Sequence, residues 1–196
     1  MDVVAIIARR PELGKVKSRL AADLGVEKTL AVYTHLLHHT MHEAALSTKH
    51  CFLFLTGEGV LDTEGFSVEE QSGNDLGARM ENAIGRCLQL GAHKVVLIGS
   101  DIAEMSTNIL QKAFHALDTV DIVLGPSIDG GYYLIGMKRL WPLFHDIEWS
   151  TNKVLSATMS KASFVNATVH LLEELNDIDT LHDLQQSTLW NKLDHL

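Results

Sequence analysis

Five of the sixteen lysines and arginines in this acidic chain fall within eleven positions: Arg9, Arg10, Lys15, Lys17 and Arg19, in the stretch R-R-P-E-L-G-K-V-K-S-R-L at residues 9–20. A loop of that kind, bent at Pro11 and Gly14, can wrap a polyphosphate. Arginine forks and a lysine point charge would balance several negative oxygens there. A solvated basic loop explains the composition equally well. What favours the phosphate reading is position, because the stretch directly follows an apolar, β-branched run at residues 3–8.

Three further stretches carry candidate chemistry, the first with a pair of aspartates elsewhere in the chain as its partners. Ser100-Asp101 follows the apolar run at 94–98 and Gly99, and a carboxylate at that point can hold magnesium or manganese against phosphate oxygens. A turn or capping aspartate is the alternative. Asp177 and Asp179 alternate around Ile178, so both can face one side of an extended segment, although Asp179 could equally cap a helix. In G-P-S-I-D-G-G-Y-Y (125–133) the paired Gly130 and Gly131 allow close backbone approach to an anion or a sugar, with Asp129 beside them. A tight turn into an edge strand is the competing explanation. In Q-S-G-N-D-L-G-A-R-M (71–80), Asp75 or Asn74 can cap a helix and Arg79 can reach a phosphate. On spacing alone an ordinary capped helix accounts for this stretch.

These stretches need a scaffold that brings them together. Short apolar runs at 3–8, 50–56, 94–98, 121–124 and 132–137 read as strands, with weaker ones at 66–70 and 168–172. Between them, Leu24, Leu30, Tyr33, Leu36, Leu37, Met41 and Ala44 predict a helix of about five turns. Further helices are expected from Asn74 or Asp75 to Gly91, from Ser106 through Leu117, from about Thr151, and after Asp179. Strands alternating with helices predict an α/β fold, a mostly parallel sheet joined by right-handed crossovers with helices on both faces. Ligands of such sheets lie beyond the carboxyl ends of the strands, where the four stretches fall.

The chain has 196 residues, 46% of them hydrophobic and 21% charged, which suits one globular domain over 1–196. A formal net charge of −9 disfavours a nucleic-acid polymer as partner, since that binding needs many phosphate contacts. No apolar run reaches membrane-spanning length and no basic leader region precedes the first strand, so a cytoplasmic protein without membrane contact is expected. Cys51 and Cys87 sit apart in apolar runs and read as buried thiols. The eleven histidines lack carboxylate or cysteine partners at ligand spacing and are read as surface residues, with no zinc site. The glycine fingerprint of dinucleotide-binding enzymes, the phosphate loop of P-loop NTPases and the G-x-S-x-G elbow are all missing from the sequence.

Taken in order, residues 10–20, 71–80, 95–101 and 121–136, W-S-T at 149–151 and D-I-D-T-L at 177–181 resemble the small bacterial GT-A-like nucleotide-diphospho-sugar transferase or glycosyltransferase family of unassigned substrate. That family is similar in turn to 2-phospholactate guanylyltransferase and, more remotely, to the molybdenum-cofactor guanylyltransferases. The resemblance implies a three-layer α/β/α Rossmann-like fold and a transferase passing a nucleotidyl or glycosyl group, with Mg2+ or Mn2+, from a nucleoside triphosphate or nucleotide sugar to a small-molecule acceptor. A guanylyltransferase acting on a phosphorylated hydroxy acid and a non-catalytic nucleotide-binding regulator are the rival readings, and a homodimer is the assembly to test. The implied nucleotide site is Arg10, Gly14, Lys17, Arg19, Asp75, Arg79 and Ser100, with Lys17, Arg19 and Asp101 at the reaction centre. Asp101, Asp177 and Asp179 would hold the metal. Asp129, Gly130, Gly131 and Tyr132 would face the acceptor. Two departures stand out: Arg10 is where the family often has lysine, which keeps the charge, and Ala103 is where a proline commonly follows.

Overall fold

The computed structural model describes residues 1–191. Residues 192–196, the end of the single domain expected from the sequence, lie outside the described residues. Seven strands, β1 (Asp2–Arg9), β2 (Cys51–Thr56), β3 (Ser67–Glu70), β4 (Lys94–Ile98), β5 (Ile122–Pro126), β6 (Tyr132–Met137) and β7 (Val169–Leu171), form one sheet. Its order is β3-β2-β1-β4-β6-β5-β7. The helices are α1 (Ser18–Leu24), α2 (Val26–Ser47), α3 (Leu76–Gln89), α4 (Thr107–Ala116), α5 (Val154–Phe164) and α6 (Leu181–Gln186).

The continuous apolar runs of β1 and β4 are what a sheet covered on both faces requires. Val4, Ile6, Val96 and Ile98 face α2 and α4, whereas Val3, Ala5, Val95 and Leu97 face α3 and α5. The result is the expected three-layer α/β/α arrangement. A smaller cluster joins Leu20 of α1, Val32 and Leu36 of α2, Leu184 of α6 and Ile178 just before it. It ties the first two helices to the segment that contains α6.

Three expectations are corrected. The single long helix near residues 24–44 is two helices, because Gly25 (φ 85°) ends α1 and opens α2. The sheet is mostly parallel as expected, but β6, for which a tight turn into an edge strand is one explanation, pairs antiparallel with both β4 and β5. It is reached by a tight turn in which Ser127 N–H donates to the Gly131 carbonyl, at 3.1 Å, and it sits inside the sheet rather than at its edge. The tight-turn explanation for G-P-S-I-D-G-G thus holds, without the edge position. Finally, His39 of α2 is no plain surface histidine; its Nε2 lies 2.8 Å from the Met105 carbonyl. Cys51 and Cys87 are buried and free, as expected, and burial pushes their thiols up to about 11 and about 12 respectively.

Candidate functional site

β1 and β4 are adjacent and parallel, so the residues that follow them emerge at one rim. Lys17 opens α1 in the left-handed region (φ 45°), a conformation that costs a side-chain-bearing residue about 1 kcal/mol or more and persists only under tertiary restraint. The restraint is visible. The Lys17 Nζ lies 2.8 Å from Asp101 Oδ1 and 3.3 Å from Asp179 Oδ1, with the side chain only 5% exposed. Burial by itself would lower the Lys17 pKa, but the two carboxylates outweigh it and hold the ammonium above its ordinary value. Arg19, close by on α1, pairs with the other Asp179 oxygen from an exposed position.

The two distant acidic segments are stitched together by backbone. Ile102 and Asp177 form an antiparallel bridge, and Ile178 N–H donates to the Asp101 carbonyl at 2.9 Å. Ile178 is fully buried, which turns Asp177 and Asp179 together toward the rim, the alternation that the sequence suggested. Ser127 Oγ donates to Asp177 Oδ1 at 2.8 Å. Burial is the main reason that the Asp177 carboxyl sits above the usual carboxylate range, and the neighbouring Asp129 and Asp179 charges push the same way.

These groups open onto a cavity of about 370 Å³. Ser100, Asp101, Asp177, Asp179 and Arg19 line it, as do Asp129, Gly131 and Tyr132. Asp129 Oδ1 accepts from Gly131 N–H at 2.8 Å, fixing the turn. Gly130 (φ 89°) is pressed against the Asn152 backbone, where any Cβ would collide. The Tyr132 ring meets Trp149 edge-on at 6.5 Å. Its hydroxyl is turned toward Thr158 of α5 and is held above its ordinary pKa by burial. The ring rather than the hydroxyl is therefore what Tyr132 presents to the cavity.

Four of the anticipated residues stand elsewhere. Arg10 makes a bidentate pair with Glu70, at 2.6 and 3.2 Å, and also donates to the Gly57 carbonyl. Asp75 caps α3 by accepting from Ala78 N–H at 2.8 Å. Arg79 Nε donates to the Gly73 carbonyl, and Gly14 turns an exposed loop at φ 73°. None of the four lines the cavity; they shape the loops around it. Nor do the three aspartates form a closed cage: among the described residues no group of three His, Cys, Asp or Glu side chains converges to hold a metal ion. Asp101 and Asp179 converge on Lys17 instead.

Several contributors were not singled out by residue type. Trp149 lines the cavity and rests on Gly77, whose Cβ, were there one, would lie 2.6 Å from the indole. Met80 and Leu76 of α3 extend that apolar wall. Tyr33 hydrogen-bonds the backbone of Arg9 in both directions, at 2.6 and 3.0 Å. Gln71 donates to the carbonyls of Ala8 and Phe54. These last two close the strand ends from which the basic loop departs. The tryptophan and the glycine stand far apart in sequence, so their contact carries no local signal.

Among solved structures the chain is similar over 99% of its length, at 27% identity and TM-score 0.88, to a candidate nucleotide-diphospho-sugar transferase from Desulfovibrio desulfuricans G20, covering 94% of that protein. The fold is also that of Rv0371c from Mycobacterium tuberculosis H37Rv, solved with manganese (14% identity, 95% and 97% coverage, TM-score 0.58). It is shared with the inositol-1-phosphate CTP transferase of T. maritima (14% identity, 97% and 94% coverage, TM-score 0.58). No curated protein sequence matches the chain. The fold and the likeness read from the motifs are thus borne out, and with a family model matched over residues 20–151 the chain belongs to DUF2064, described as an uncharacterized protein conserved in bacteria.

Proposed function

We propose that this chain is a transferase acting as one domain, which binds a nucleotide donor at the rim formed by β1 and β4 and passes a nucleotidyl or glycosyl group to a small acceptor in the adjoining cavity. The observation that carries this reading is the convergence of Lys17, Arg19, Asp101, Asp177 and Asp179 at that cavity. The solved neighbours point the same way: a candidate nucleotide-diphospho-sugar transferase and a CTP transferase share the fold.

Lys17 and Arg19 supply positive charge at the place where a donor's phosphates would lie, and Ser100 adds a buried hydroxyl beside them. The carboxylates of Asp101, Asp177 and Asp179 are hard oxygen donors, the kind that suits Mg2+ or Mn2+. Two such carboxylates with donor phosphates meet the usual magnesium requirement without an all-protein cage. When bound, the ion would neutralise phosphate charge as the transferred group departs. Manganese in the Rv0371c structure supports that choice of ion. The protein's own part is positioning and charge compensation; no covalent intermediate with the protein is called for.

The test is a thermal-shift panel of nucleoside triphosphates and nucleotide sugars, each with and without Mg2+ or Mn2+, because a ligand that binds only the folded state raises its melting temperature. A metal-dependent rise with one donor is expected. Pyrophosphate release would then mark nucleotidyl transfer, and nucleoside diphosphate release would mark sugar transfer. No rise with any donor would sink the proposal.

A further inference from the structure

The cavity lining is of two kinds. Part of it carries charge: Asp101, Asp129, Asp177 and Asp179, against Arg19 as the cation among the described lining residues. That guanidinium is already engaged by Asp179, and the nearby Lys17 is buried between two carboxylates. Among the described residues neither Asp129 nor Asp177 makes an ion pair. Their anchors are neutral donors, the Gly131 N–H and the Ser127 hydroxyl. Another part is apolar, with the Trp149 and Tyr132 rings, Leu76, Met80 and Ile7.

A phosphate or carboxylate lying against Asp129, which is not among the proposed metal-holding carboxylates, would face like charge in a partly enclosed site, a juxtaposition that is strongly unfavourable in interfaces generally. A hydroxyl, by contrast, donates to a carboxylate at no such cost, and carboxylates have only acceptor capacity to offer. The indole and its apolar neighbours suit a ring's C–H face. We propose that the cavity beside Trp149 takes an uncharged, hydroxyl-rich ring, a sugar or a cyclitol, in preference to its phosphorylated counterpart. Naming that ligand the acceptor rests on the transferase reading above; the charge preference itself does not.

Matched probes isolate the charge: myo-inositol against inositol 1-phosphate, and glucose against glucose 6-phosphate. With the three tryptophans replaced by 5-fluorotryptophan, the Trp149 resonance is identified by its loss in Trp149→Phe and reports occupancy beside that ring alone. The expected result is that the Trp149 signal titrates with at least one neutral probe, and that its phosphorylated partner requires about tenfold more or fails to shift it. In Asp129→Asn the gap between the partners narrows several-fold. A phosphorylated probe that shifts Trp149 as readily as its neutral partner overturns the proposal, as does a Trp149 signal that moves with none of the four. The nucleotide panel fails or succeeds separately. Nucleotide binding with no neutral preference sinks this inference alone, whereas a neutral preference without nucleotide binding sinks the transferase reading alone.

Discussion

The Lys17 ammonium, 2.8 Å from Asp101 and almost wholly buried, fills the space between two carboxylates that stand 78 positions apart in the chain. It holds the apo site together, and it is the charge that a donor's phosphates would need. Removing it uncovers both carboxylates. Because Asp101 and Asp179 are 42% and 32% exposed, solvent screens much of the exposed repulsion, and Lys17→Met should cost about 1–2 kcal/mol rather than the larger penalty of a fully buried pair. Urea denaturation checks this. The same variant should lose metal-dependent nucleotide binding by about a hundredfold. The sign with pH follows from the raised Lys17 value. Its contribution is whole below the unfolded lysine pKa and is lost only as pH rises through the higher folded value. The stability deficit of the variant should therefore stay level from neutral to mildly alkaline pH.

Asp177 behaves in the opposite sense. Its folded pKa is raised, chiefly by burial, so the ionised carboxyl weakens the fold at neutral pH and the penalty fades as pH falls through that raised value. Asp177→Asn keeps an oxygen for the Ser127 hydroxyl and should raise the melting temperature by a few degrees at pH 7, about 1 kcal/mol. The gain should shrink on acidification, as scanning calorimetry across pH would show. Turnover should drop while stability rises; a variant that melts lower at pH 7 would contradict the account of Asp177.

Two glycines of α3 make a paired test. Gly77→Ala would drive a methyl into the Trp149 ring and the Phe144 carbonyl at 2.6 Å, costing about 1–3 kcal/mol and displacing the indole from the cavity. Gly85→Ala meets only Leu140 Cδ2 at 3.8 Å and should stabilise the helix by up to about 1 kcal/mol. Melting curves with the Trp149 fluorine shift separate the two.

Asp101→Asn should leave the fold close to intact, since Asn still accepts from Lys17, and should abolish the metal-dependent part of any nucleotide-induced thermal shift. Normal metal-dependent binding and turnover would refute the role given to Asp101. By comparison Arg10→Ala, which breaks the exposed pair with Glu70, should change nucleotide affinity far less than Lys17→Met does, as isothermal titration would register.

Much of the scaffold was legible because buried strands announce themselves: β1 and β4 are apolar runs, and helices recur between them. The reversed direction of β6 was not, since a run such as Y-Y-L-I-G-M carries no sign of which way it lies. Only the short D-G-G turn hinted at a hairpin. In the site, residue type and strand-end position were enough to point to Lys17, Asp101, Asp177 and Asp179. The resemblance put Arg10, Asp75 and Arg79 in the nucleotide site, and a motif cannot show that Glu70, Ala78 N–H and the Gly73 carbonyl engage them; for Asp75 the capped helix favoured on spacing is what forms. Trp149 entered only through the W-S-T motif and without a role, for the converse reason, its place being set by a glycine in a distant helix.

The bridge between Ile102 and Asp177, and the contact of Lys17 with Asp179, have a consequence for biosynthesis. A chain emerging from the ribosome can build β1, β2 and β4 early, yet the clasp on Lys17 is complete only once residue 179 has been made. Until then the lysine has one partner, and a left-handed turn at its own backbone to hold. Catalytic competence would therefore arrive last, and a nick or truncation ahead of Asp177 would leave a largely formed sheet with an open rim.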